Sequence, residues 1–247
     1  MKALNIAKMM IAVSTVFMAC SSHAFLIVPT GTSAGTPSQP TYDVTINGGD
    51  VGQTFTMNYA GSGASAPYVA SSLYTIVSLS PTDLILTLFI SNLTSTSIQS
   101  AITGFGFSVT PDATGVTLLA PFPSVFDQVI LQTTKDQIFP GGYKNIDICG
   151  ASQTGCTGGS FNSGLLSGTS DTIKLDITGV FGATPSVTLD SFPIKFQTST
   201  VSYELSGQPG GGGGSQGNVP EPASVALFGL GILGVALARR RTKQIDG

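Results

Sequence analysis

The sequence predicts an all-β protein, an antiparallel β-sandwich of about ten strands. Three observations carry this expectation. Of 247 residues, 41% are hydrophobic and only 9% charged, with 31 glycines and 14 prolines. That composition suits short strands joined by many turns and argues against helical bundles and coiled coils. Apolar and polar residues alternate in several short runs, and turn signals such as Asn47-Gly48-Gly49-Asp50 and Pro111-Asp112 separate them.

In chain order, Lys2 and Lys8 precede an apolar run from Met9 to Ala19, and Ser22-His23-Ala24 supplies small residues before a cleavage point. Residues 1–24 are therefore expected to be a signal peptide cut between Ala24 and Phe25. A competing reading takes Phe17-Met18-Ala19-Cys20 as a lipobox with an acylated Cys20, although Phe17 and Met18 are bulkier than such a box uses. Residues 25–40, rich in Pro, Ser, Thr and Gly, are expected to form a loose lead-in.

Residues 41–207 are assigned to the sandwich. Thr54 to Tyr59, Ile173 to Ile177 and Val201 to Leu205 alternate and predict half-buried strands. Leu84 to Ile90 is almost continuously apolar and bounded by Pro81 and Asn92, which predicts a central strand covered on both faces. Further strands are expected at Leu73–Leu79, Ile102–Val109, Val116–Leu119, Val125–Leu131 and from Val187 through Leu189 to Phe196. Asn92-Leu93-Thr94 matches a glycosylation sequon and is read as a turn. A Gly/Ser-rich linker follows at 208–218.

The last segment, 219–247, has three parts: Val219-Pro220-Glu221-Pro222, sixteen uncharged residues from Ala223 to Ala238, and Arg239-Arg240-Arg241 followed by Lys243. The middle part reads as a short membrane-spanning helix, and the Arg cluster places the tail in the cytoplasm and the body outside. The prolines keep the backbone before the helix extended, so that a protease can grip it. An ordinary permanent anchor is the competing reading.

Removal of residues 1–24 and of everything after Pro222 leaves four lysines and no arginine against twelve acidic residues, a charge of -8. With a charge of -3 even before processing, the chain offers no basic surface for nucleic acid. The only histidine, His23, lies in the signal peptide, and there is no tryptophan. Without His, the Ser-His-Asp, Cys-His and imidazole-metal classes of active site fall away. Two carboxylates could still act on a sugar, but no spacing singles out a pair. No catalytic residue, cofactor or metal site is therefore expected. Acidic loops at Asp43 to Asp50 and around Asp171 match no calcium-loop pattern and read more simply as solvated turns. Six tyrosines, Tyr42, Tyr59, Tyr68, Tyr74, Tyr143 and Tyr203, remain as aromatic platforms for a sugar.

Cys149 and Cys156 are the only cysteines after the first cleavage and have six residues between them. In an oxidising compartment a structural disulfide is expected, stabilising by about 2 to 3 kcal/mol. Redox pairs are more often Cys-x-x-Cys, and structural zinc would need two further ligands.

The order Pro-Glu-Pro, apolar helix, Arg cluster closely resembles the PEP-CTERM sorting signal of Gram-negative bacteria. The resemblance implies that an exosortase recognises Val219-Pro220-Glu221-Pro222 as substrate, cuts near it and passes the body to the cell surface, often alongside exopolysaccharide production. The text Asn145-Ile146-Asp147-Ile148-Cys149, Cys156-Thr157-Gly158-Gly159, Gly168-Thr169-Ser170-Asp171 and Lys195-Phe196-Gln197-Thr198 is similar to the "cistern" group of such proteins, which implies no particular molecular activity. The expected function is a non-enzymatic surface or matrix protein, exported, transiently held in the inner membrane and associated with biofilm. The alternative is a carbohydrate-binding module that holds exopolysaccharide at the surface.

Overall fold

The computed structural model describes residues 25–32, 39–119, 124–132, 139–153, 155–157 and 159–210. Fifteen strands run through these residues: β1 (Leu26–Thr32), β2 (Pro40–Asn47), β3 (Thr54–Ala60), β4 (Val69–Leu79), β5 (Asp83–Asn92), β6 (Ala101–Thr110), β7 (Ala113–Leu119), β8 (Gln128–Leu131), β9 (Ile148–Ala151), β10 (Leu165–Leu166), β11 (Ser170–Gly179), β12 (Ser186–Asp190), β13 (Pro193–Gln197), β14 (Ser202–Ser206) and β15 (Gln208–Pro209). They form two antiparallel sheets packed as a sandwich, as expected. The first contains β1, β2, β12, β6, β13 and β14, with β8, β9 and β10 joined through β6 and β9. The second has the order β15-β3-β4-β5-β11-β7.

Alternation builds both layers. On β3, Phe55, Met57 and Tyr59 point inward and are essentially inaccessible, and Ile173, Leu175 and Ile177 do the same on β11. Phe55 and Tyr74 face each other across β3 and β4 with stacked rings 4.7 Å apart. From the opposite sheet, Phe107 and Phe192 reach Tyr74 edge-on at 6.2 and 5.5 Å. This aromatic knot joins the layers, and each such pair adds about 1 kcal/mol beyond its buried area.

Five expectations are corrected. The lead-in at 25–40 is not loose throughout: Leu26–Thr32 form β1 on the edge of the first sheet, because Phe25 and Ile27 alternate into the core and Phe25 packs 5.2 Å from Phe55. Leu84–Ile90 lies in the central strand β5, but among the described residues only one face is fully buried: Leu84, Leu86, Leu88 and Ile90 are inaccessible, whereas Ile85 and Thr87 are half-buried and Phe89 is exposed. Burial on both faces falls instead on β6, and likewise on β9 and most of β13. Val187 to Phe196 is two strands, β12 and β13, both lying along β6. They are parted by a bulge at Ser191, whose φ is 50°, and the bulge turns Phe192 into the core. Val125 precedes its strand, which starts at Gln128. The segment 208–218 begins as β15, paired to β3.

A lid gives β6 its second cover. Phe139, Tyr143, Ile146 and Cys149 form a small separate apolar cluster over Gly104 and Gly106 of β6. A Cβ at Gly106 would lie 2.7 Å from Ile146 Cγ2 and 3.1 Å from the Ile148 carbonyl oxygen. Glycine is therefore what lets the lid reach the sheet.

Candidate functional site

Most of the sorting and processing residues expected from sequence lie outside the described residues: Ala24, Val219, Pro220, Glu221, Pro222, Arg239, Arg240 and Arg241, with Cys20 and the apolar run 223–238. What is described is how the sandwich receives its two ends. Phe25 is buried, so a chain starting there enters the core with its first side chain. At the other end Gln208 and Pro209 pair with Asn58 and Met57, and the Gly210 amide donates to the Thr56 carbonyl at 2.8 Å. The tail therefore leaves from the edge of the second sheet. Among the described residues, no helix is long and apolar enough to cross a membrane.

Cys149 and Cys156 form the expected disulfide, with Cα atoms 5.7 Å apart. Cys149 is fixed on β9 between β6 and β8, and Cys156 packs against the lid cluster. The loop has a second fastening that spacing alone does not announce. Lys195 on β13 is buried and its Nζ donates to the Thr157 carbonyl, next to Cys156. Glu204 on β14 sits directly opposite Lys195. Burial pulls the Lys195 amine below its usual range and Glu204 partly restores it. Burial likewise raises the Glu204 carboxyl, against the pull of Lys195 and the Ser202 hydroxyl. The signal in sequence was a lysine in an alternating strand, which ordinarily points to solvent.

Four of the six tyrosines are withdrawn from the surface. Tyr59, Tyr68, Tyr74 and Tyr143 are buried, and burial pushes the Tyr59 phenol up to about 12 and Tyr74 well above its ordinary value. Tyr42 and Tyr203 are half-buried; Tyr42 donates to Gln208 Oε1 at 3.0 Å, and Tyr203 lies 5.0 Å from Tyr68.

The aspartates of the two acidic loops hold backbone. Asp50 accepts from the Asn47 amide at 2.7 Å. Asp171 accepts from the Ser124 hydroxyl and the Val125 amide, both at 2.7 Å, and from the Thr172 amide at 2.8 Å. Asp43 is the exception, raised by burial and then by Asp190 beside it. Among the described residues no group of three or more His, Cys, Asp or Glu is placed to hold a metal ion. Asn92 of the sequon is buried; its Nδ2 donates to the Leu165 carbonyl at 2.9 Å and its Oδ1 accepts from the Thr94 amide at 3.2 Å.

Among the described residues, no further layer packs on the outward face of the second sheet, whose side chains are half-buried to exposed. Thr56, Leu73, Phe89 and Thr172 lie in one cross-strand row, and Thr54, Thr75, Thr87 and Lys174 in the next. Phe89 is 43% exposed and is the only exposed large aromatic among the described residues.

Residues 218–241 match the family model described as the PEP-CTERM protein-sorting motif. No curated protein and no solved structure matches the chain significantly. The motif marks the chain as an exported protein with a transient membrane anchor, sorted and processed by an exosortase.

Proposed function

We propose that the mature product is a non-enzymatic surface or matrix protein that works in association with exopolysaccharide. In this reading it runs from Phe25 to the neighbourhood of Val219-Pro220-Glu221-Pro222 and is of the "cistern" type. The single observation that carries the reading is the sorting motif at 218–241 behind a β-sandwich that ends in a Gly/Ser-rich segment. Support against catalysis comes from composition and from the side chains. A mature chain without His has no imidazole base, the most buried tyrosines are held neutral, and the carboxylates of Asp50 and Asp171 are occupied by backbone amides.

The test is the intact mass of the protein from envelope and medium, in cells with and without the exosortase. The expected product starts at Phe25, ends near Pro222 and disappears when the protease is removed. A mass that still includes Arg239 to Lys243 in normal cells would replace this reading by a permanent anchor, and an acylated Cys20 by a lipoprotein. The carbohydrate-binding reading is favoured by one observation, the exposed Phe89 on the outward face of the second sheet.

A further inference from the structure

We propose that the outward face of the second sheet is a binding surface for a neutral, extended, ribbon-like polysaccharide, centred on Phe89 and Leu73. This deepens the surface-protein reading and rests on it for the encounter with extracellular glycan. The face pairs two kinds of chemistry in register. Leu73 and Phe89 stand side by side on β4 and β5, flanked by Thr56 on β3 and Thr172 on β11. One row away, Thr54, Thr75 and Thr87 run across three consecutive strands.

Neighbouring strands lie about 4.8 Å apart, and residues two apart on one strand about 6.8 Å apart. An apolar strip thus runs beside a ladder of hydroxyls, separated by about the width of a sugar ring. A β-linked chain in its extended form presents C–H faces that stack on an aromatic ring and equatorial hydroxyls that bond to neighbouring hydroxyls. The Thr side chains serve as donor or acceptor, so they suit hydroxyl partners in either sense.

Charge decides among the possible occupants. The two rows carry one charged residue, Lys174, and Asp176 follows it on the same side of β11. The processed chain is acidic, with twelve carboxylates against four lysines, so anionic lipid surfaces and acidic polymers are repelled. A nearly neutral face on an acidic molecule fits a neutral partner. A second copy would bring its own negative charge.

The experiment uses the processed protein recovered from producing cells, run on native gels cast with xyloglucan, mixed-linkage β-glucan, dextran or alginate. Retardation by xyloglucan or mixed-linkage β-glucan is expected, with none by alginate and little by dextran, whose flexible α-linked chain does not lie flat. Phe89→Ala should weaken retardation about tenfold, the loss of one good aromatic contact, whereas Phe89→Trp should keep it. Leu26→Ala, at an exposed position on the other sheet, should leave it unchanged.

The proposal falls if neither β-linked chain retards the protein, if Phe89→Ala binds as well as the parent while keeping its thermal transition, or if retardation appears only with alginate. It falls also if Phe89→Ala abolishes a dimer without changing migration in glycan. The mass of the same sample separates the two ideas. A correctly trimmed protein that no β-linked chain retards overturns the glycan face and leaves the sorting reading standing.

Discussion

Cutting the disulfide while sparing the packing around it isolates what the cross-link contributes. Cys149 belongs to the lid cluster with Phe139, Tyr143 and Ile146 and has no exposure, whereas Cys156 is only partly buried at its margin. Cys156→Ser therefore removes the ring and little else. The two cysteines are seven positions apart, and a ring that short restricts the unfolded chain by about 2.4 kcal/mol at 25 °C. For a domain of this size each kcal/mol moves the midpoint by about 2 to 4 °C, so the expected fall in Tm is about 5 to 10 °C. Reductant added to the parent protein should reproduce the fall and should have no further effect on Cys156→Ser. Cys149→Ala should cost about 1 kcal/mol more, because it also empties space beneath the lid. Differential scanning calorimetry of the processed protein and the two variants, with and without reductant, reads each of these states. A Cys156→Ser midpoint within about 1 °C of the parent would refute the argument that the ring constrains the unfolded chain.

Three further perturbations test other parts of the structure. Gly106→Ala should destabilise by about 1 to 3 kcal/mol, because its Cβ meets Ile146 Cγ2 at 2.7 Å; an unchanged denaturation midpoint would mean that the lid does not rest on β6. Asn92→Ala should cost about 2 kcal/mol in urea unfolding, through the Leu165 carbonyl and Thr94 amide left without their partner. The parent protein should carry no glycan at this buried side chain, which intact mass will report. Asp43 is raised by burial first and by Asp190 second, with the Thr30 hydroxyl offsetting part of the shift. Ionisation of a raised carboxyl opposes folding, so its favourable contribution is complete below the ordinary value of 3.8 and is lost as pH rises through the raised one. Asp43→Asn should therefore melt higher than the parent at pH 7, with the gap closing below about pH 4. A gap unchanged at low pH would refute that origin.

Period-two patterns made the second sheet legible from sequence. Thr54 to Tyr59 and Ile173 to Ile177 each place apolar residues on the face that meets the first sheet, and both are strands with that face inward. Patterns failed where burial came from outside the sandwich. Ile102 to Val109 looked like one more strand, yet it is buried on both faces, because Gly104 and Gly106 admit the lid and a glycine carries no hydrophobic signal. Leu84 to Ile90 looked doubly covered because Ile85 and Phe89 are apolar, and hydrophobicity does not say whether a second layer exists. Lys195 was hidden for the opposite reason: its charge signalled solvent, and only the fold brings the Thr157 carbonyl to it. The disulfide was legible because elimination left two cysteines in an exported chain.

The way the chain leaves the sandwich determines how the domain responds to being pulled. Drag on a body held by its tail enters at Gly210 and passes through one hydrogen bond to Thr56 and then to β15, which meets β3 at only two residue pairs. That clip, backed by the Tyr42 hydroxyl on Gln208, is the first to carry the load. Freeing three residues pays out about 10 Å of slack, after which the load reaches β14, bound to β13 over five pairs. The aromatic knot of Phe55, Tyr74, Phe107 and Phe192 lies beyond both. A sudden tug is thus taken up by a strand that can be lost and regained without opening the hydrophobic interior.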